Sequence, residues 1–145
     1  MKEFSPIEEL VNELRLSLQR ITRIAEEIHA EEPISIGMRG VLEFLLRHSS
    51  ATVPTIARSR HVSRQLIQSH VNALSEEGLI RFEDNPAHRR SQMVTLTPRG
   101  EAMIERMRRR EGAIFAEVAA SVSDRRIGEA TRTLRSIRSA LKGGE

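Results

Sequence analysis

The stretch SRQLIQSHVNALSEEG, Ser63 to Gly78, decides how the rest of the chain is placed. At about 100° of arc per residue, Arg64, Gln65, Gln68, Ser69 and Asn72 share one side of a helix, while Leu66, Ile67, Val71 and Leu74 share the other. One side is dry and the other is rich in hydrogen-bonding groups. Arginine can bond a guanine edge with two donors, glutamine and asparagine match adenine with a donor and an acceptor, and serine lets the backbone approach phosphate. The spacing therefore predicts a recognition helix, ended by Gly78 in a left-handed carboxyl-terminal cap. Ser63 reads as its amino-terminal cap, and a phosphate contact from the same position is compatible with capping.

Working outward, Pro54 to Arg60 reads as a shorter helix burying Ile56 and Ala57, joined to the recognition helix through His61 and Val62. After Gly78, Leu79–Glu83 and Gln92–Leu96 read as antiparallel strands, connected by a loop whose Asn85-Pro86 is a turn signal and whose Arg89-Arg90 is a charged tip. Arginines on such a loop suit a narrow minor groove or its flanking phosphates. A pairing of Arg89 or Arg90 with Glu83 or Asp84 would hold the hairpin instead; one structural arginine and one facing DNA is the expectation. Helix, turn, helix and hairpin is the order of a winged helix-turn-helix.

Upstream, Pro6 to Ala30 repeats Ile7, Leu10, Leu14, Ile21, Ile24 and Ile28 at helical spacing, following a heptad for about three repeats. Ser5 and Pro6 form its start, with Glu8 and Glu9 in the first turn, and Glu31-Glu32-Pro33 stops it. The stripe is wider than one small winged domain needs to cover, so part of it is expected to meet a second chain. Met38 to His48 reads as a further helix burying Val41, Leu42, Leu45 and Leu46, and Ala51–Val53 as a short strand. Downstream, Thr97-Pro98 opens a long helical region with Met103, Met107, Ile114, Phe115 and Val118 on one side; Ser123-Asp124 starts a last helix carrying Ile127, Leu134, Ile137 and Leu141. Arg106 and Arg108-Arg109-Arg110 read as a solvated face paired with glutamates, and Gly143-Gly144-Glu145 as a frayed end.

Composition narrows the chemistry. A chain of 145 residues that is 39% hydrophobic fits one domain with one core. With four Phe and no Trp or Tyr, that core is built from aliphatic side chains and methionine. The absence of cysteine removes thiol catalysis, disulfides, thiol redox sensing and thiolate zinc sites. Among His29, His48, His61, His70 and His88 no pair has the i, i+4 spacing of a helical metal site, and neither a phosphate-cradling glycine loop nor a hydrolase motif is present, so no metal, cofactor or enzymatic role is expected. No apolar run approaches the ~18 residues of a membrane span, and MKEFSPIEEL lacks the apolar stretch of a signal peptide. A cytoplasmic protein is the expectation. Residues 1–53 carry six Lys/Arg against nine Asp/Glu, residues 54–100 seven against four, and between Thr55 and Ser75 there are three arginines and no acid. A basic reading surface in an otherwise mildly charged chain suits a DNA module.

Ile56-Ala57, Val62-Ser63-Arg64-Gln65, Val71-x-x-Leu74-x-x-x-Gly78-Leu79-Ile80, the arginine wing and Leu96-Thr97-x-x-Gly100, flanked by long terminal helices, resemble the MarR family of bacterial transcriptional regulators. The helix exit at Gly78-Leu79-Ile80 and the wing exit at Leu96-Thr97-x-x-Gly100 are the most specific of these motifs. The resemblance implies a mainly α fold with a small antiparallel β wing: a DNA-binding core over 35–97, with dimerisation helices in 1–34 and 98–145. It implies a homodimer, with Ile7, Leu10 and Leu14 from the first helix and Ile127, Leu134 and Ile137 from the last at its interface. It also implies a repressor of a pseudo-palindromic double-stranded operator relieved by a small ligand, with base readers among Arg64, Gln65, Gln68, Ser69 and Asn72, Ser63 at the helix start, and wing contacts among His88, Arg89 and Arg90. The family often has an acid where this chain has His88, and another where it has Asn72, which leaves the wing arginines' orientation open. The family's ligand pocket lies between the dimer helices and the winged domain, where Arg15, Arg39 or Arg47 would hold an anion or serve only as surface residues. The competing reading is a winged domain used for protein interaction, which predicts an apolar or acidic outer face on the recognition helix.

Overall fold

The computed structural model describes residues 1–141, so the expected frayed end at Gly143-Gly144-Glu145 lies outside the described residues. Among these, the element order is α1 (Pro6–Ile28), α2 (Ile36–His48), β1 (Ser50–Thr52), α3 (Val53–Arg60), α4 (Arg64–Glu76), β2 (Ile80–Glu83), β3 (Met93–Leu96), α5 (Pro98–Ser121) and α6 (Asp124–Ala140). This is the mainly α architecture with a small β wing that the patterns predict. Helix starts coincide with local capping chemistry. The hydroxyls of Ser5, Ser35, Thr52, Ser63, Thr97 and Ser123 each accept a backbone N–H of the following first turn. Ser5 and Glu8 complete a reciprocal capping box. The Ser35 cap starts α2 at Ile36, two residues before the start read from periodicity.

The three strands form one antiparallel sheet in the order β1-β3-β2, with Ala51 opposite Val94 and Phe82 opposite Val94 on its two sides. Core residues come from α2 (Val41, Leu42, Leu45), α3 (Ile56), α4 (Ile67, Val71, Leu74), the sheet (Leu79, Ile80, Val94) and the first half of α5 (Met103, Ile104, Met107). This core holds α4 by one side only.

The two specific motifs of the sequence form one joint. Gly78 takes φ +71°, and the Leu79 N–H closes back on the Leu74 carbonyl at 2.9 Å, ending α4 in the left-handed cap predicted for it. The Thr97 hydroxyl donates to the Gly78 carbonyl at 2.7 Å while the Thr97 N–H donates to the Leu79 carbonyl at 3.1 Å. Gly100 lies against that same segment so closely that any Cβ there would clash with the Leu79 carbonyl oxygen. The exit of α4, the return of the wing and the start of α5 are thereby fixed to one another.

The outer helices bury far less. Ala25 is the buried residue of α1, α6 has none, and Ile7, Leu18, Ile21, Phe115, Val118, Ile127 and Leu134 are all exposed. Arg106 and Arg110 pair with Glu32 at the end of the first helical segment, as glutamate-paired arginines on a solvated face should. Burial would raise the Glu32 pKa, but the hydrogen bonds from Arg110 and Arg106 outweigh it and hold the carboxyl below its ordinary range.

Candidate nucleic-acid interface

The turn that presents α4 is made without glycine. His61 adopts the left-handed region at φ 54°, its N–H donates to the Arg58 carbonyl, and the Val62 N–H reaches back to the Ala57 carbonyl at 3.1 Å. This pair of bonds is the Schellman closure usually built on glycine. It ends α3 and turns the chain within three residues, and the Ser63 hydroxyl then accepts the Leu66 N–H at 3.1 Å, so the capping role read for Ser63 is made.

Along α4, Ile67, Val71 and Leu74 are buried, and Arg64, Gln65, Gln68, Ser69 and Asn72 are all exposed, as the helical arc predicts. The structure brings Gln68 and Asn72 into contact: the Gln68 side-chain amide donates to Asn72 Oδ1 at 2.9 Å, so the pair presents a shared donor and acceptor edge. Leu66 departs from the prediction. The helical arc places it on the dry side, yet it is 44% exposed. The reason is angular: Leu66 lies about 100° of arc from Ile67, outside the narrow stripe that Ile67, Val71 and Leu74 bury. His70 is half-buried beside Gly37, where burial, and then the charge of Arg60, lowers its pKa.

In the wing, Asn85 accepts the Ala87 N–H through its side chain at 3.1 Å, and the His88 and Ser91 N–H groups close successive turns. His88, Arg89 and Arg90 are exposed at the tip. The expected pairing of a tip arginine with Glu83 or Asp84 does not form. Glu83 is taken by Arg81 at 3.0 Å, its neighbour two residues away on the same side of β2, and among the described residues neither Arg89 nor Arg90 has an ion-pair partner. Both tip cations are therefore open to an external anion.

A concavity of about 1030 Å³ lies between α1, α2 and α5, lined by Ala25, Ile28, Ile36 and Phe115 and by Arg39 and Arg108. Of the three arginines considered for an anion, Arg39 and Arg47 line it and Arg15 does not. Arg39 is no surface residue. Its guanidinium bonds both oxygens of Glu111 and one of Glu43, and Arg47 closes on the other Glu43 oxygen. The buried His29 donates from Nε2 to Glu111 Oε1 at 2.9 Å, leaving its Nδ1 without a partner. This chain of groups ties the end of α1 to α2 and the middle of α5. Sequence reading missed it because His29 and Glu111 are 82 positions apart.

Comparison with known proteins agrees with this fold. A family model described as "MarR family" matches residues 39–91. An uncharacterized HTH-type transcriptional regulator of Staphylococcus aureus (strain Mu50) is 28% identical over 83 residues, and the match spans 57% of this chain and 57% of that relative's length. A crystal structure of a MarR family transcription regulator is 29% identical, with TM-score 0.79 over 93% of this chain and 89% of its own. A mutant MarR from E. coli, solved in complex with operator DNA, shares the fold at TM-score 0.78 and 18% identity, over 94% of this chain and 99% of its own.

Proposed function

We propose that this chain, whose residues 39–91 match a model of the MarR family and whose fold is that of MarR family transcription regulators, is a homodimeric, sequence-specific DNA-binding regulator that represses a pseudo-palindromic operator and is released by a small ligand. The observation that carries the reading is the outer side of α4: Arg64, Gln65, Gln68, Ser69 and Asn72 are exposed together on a helix held rigidly from behind. A polar, basic outer side favours DNA over the apolar or acidic surface that a protein-docking wing would present. Arg89 and Arg90, unpaired at the wing tip, add phosphate or minor-groove contacts, and the MarR of E. coli solved with operator DNA has the same fold.

Dimerisation is supported by α6, a helix with an apolar stripe and no buried residue in its own chain. In the proposed dimer a second copy covers Ile127, Leu134 and Ile137 together with Ile7, Leu10 and Leu14, and a two-fold dimer sets half-sites about 34–36 Å apart. The concavity between α1, α2 and α5 offers a place for a ligand. Its walls belong both to the outer helices and, through α2, to the core that carries α4, so an occupant can alter the spacing of the two recognition helices.

The test is a duplex selection from a random pool, followed by fluorescence anisotropy across a salt series and light scattering of the free protein. A dimer that binds its selected duplex orders of magnitude tighter than random DNA is the expected result. A monomer, or a dimer without preference among duplexes, overturns the reading.

A further inference from the structure

Among the described residues, every exposed large hydrophobic side chain but two lies in the amino-terminal residues, α1, the second half of α5, or from α6 onward. Those positions lie on or beside the outer helices proposed for the dimer contact, and Leu16, Leu18, Ile21, Phe115 and Val118 among them line the concavity between α1, α2 and α5. The two exceptions are Val62, 38% exposed, and Leu66, 44% exposed, both at the amino-terminal end of the recognition helix. The fold does not need them there. Neither belongs to the core; Val62 stands between His61 and Ser63, and Leu66 between Gln65 and the buried Ile67.

We infer that Leu66 reads the 5-methyl group of a thymine in each half-site. The inference rests on the assignment of α4 as the major-groove helix. In that docking mode the first turns of the recognition helix approach the base edges, and Leu66 lies in the first turn, three residues after the Ser63 cap. Its side chain leans back toward the helix start, as helical side chains do, which carries it further toward the groove floor. On the helical arc it lies about 60° from Ser69 and about 100° from Gln65, so it borders the polar readers on one flank. The thymine methyl is the one apolar group that base pairs display in the major groove, and it is therefore the base-edge partner that fits an exposed leucine. Two such side chains are too few for a stable protein interface, which needs about 800 Å² per partner. The absence of any acid between Thr55 and Ser75 favours an anionic partner over an apolar one.

The readers and the leucine divide the work. Gln65, Gln68, Ser69 and Asn72 supply donors and acceptors, while Leu66 supplies shape and water exclusion at a neighbouring base pair. The position separates thymine from cytosine and from uracil, which present no methyl group there.

The experiment replaces each thymine of the selected duplex, one at a time, by deoxyuridine, which removes only the methyl. Affinities of the wild type and of Leu66→Ala are measured by anisotropy at one salt concentration. Leu66 is exposed, so the variant should retain the wild-type melting temperature, measured on the same preparation. The expected result is one thymine per half-site at which the wild type loses about fourfold, the equivalent of ~0.8 kcal/mol for one buried methyl, and at which Leu66→Ala loses nothing. Val62→Ala, by contrast, keeps the wild-type sensitivity at that thymine. Strong duplex preference with the same deoxyuridine sensitivities in wild type and Leu66→Ala overturns this inference and leaves the regulator reading intact. No duplex preference in the wild type removes both.

Discussion

Glu111→Ala is the substitution whose cost follows most directly from the structure. Glu111 is 7% exposed in the middle of α5, and its carboxylate accepts from Arg39 at both oxygens and from His29 Nε2. Removing it leaves an arginine side chain that is 13% exposed with Glu43 as its remaining partner, and a buried histidine with no partner on either ring nitrogen. Deleting one member of a buried ion pair costs about 3–5 kcal/mol. Because Glu43 still neutralises Arg39, the lower end applies, about 3 kcal/mol. For a chain of this size, each kcal/mol moves the melting temperature by about 3 °C, so a fall of about 9 °C is expected. The assay is thermal unfolding followed by circular dichroism at one fixed protein concentration, since dimerisation makes melting concentration-dependent. Replacing both side chains, as Arg39→Met with Glu111→Leu, should recover at least half of the loss, because the largely buried guanidinium that had lost two of its three bonds is gone, apolar groups fill the space, and Glu43 keeps Arg47 as its partner. A Glu111→Ala protein melting within about 2 °C of wild type, or a double variant no more stable than Glu111→Ala alone, would refute the account of this cluster as a structural tie between α1, α2 and α5.

Other outcomes can be checked on the same preparations. Gly100→Ala pushes a methyl into the Leu79 carbonyl and should cost about 1–3 kcal/mol, read as a lower melting temperature; an unchanged value would mean that the joint between α4, the wing and α5 is loose. Arg89→Ala and Arg90→Ala should each weaken DNA binding and flatten the slope of log affinity against log salt by about one unit, and unchanged slopes in both would remove the wing from the interface. Leu134→Asp, on the uncovered side of α6, should shift the mass measured by light scattering from dimer toward monomer. Burial raises the Glu43 pKa, but the hydrogen bonds from Arg39 and Arg47 outweigh it, so the carboxyl stays below its ordinary value. Its contribution to stability is therefore complete above the ordinary glutamate pKa of about 4.3 and lost as the pH falls through the lowered value. Glu43→Gln should melt below wild type at neutral pH, with the gap closing under acid conditions; a gap independent of pH would show that the pair adds nothing through its charge.

Features whose physics is local were legible in the sequence, and those that depend on a partner far along the chain were not. The caps at Ser5, Ser63 and Thr97 involve residues three positions apart, and Gly78 needs only its own φ to end α4. The bond from Thr97 to the Gly78 carbonyl could not be read, although both of its ends were recognised as motifs, because nothing in either motif names the other. The arginine cluster misled for a different reason. Adjacency drew attention to Arg89 and Arg90 as partners for Glu83, whereas strand periodicity places Arg81 and Glu83 on the same side of β2, a signal that was present and outweighed by proximity along the loop. Leu66 shows the limit of periodicity itself. A hydrophobic side chain about 100° from the centre of a stripe is buried only if a neighbouring element reaches that far round, and at the first turn of α4 none covers it. Binary patterning sorts residues into dry and wet, and a leucine that is wet in the free protein is sorted wrongly whether its exposure is accidental or serves a ligand. The deoxyuridine experiment separates those two cases, because an accidental leucine has no preferred base.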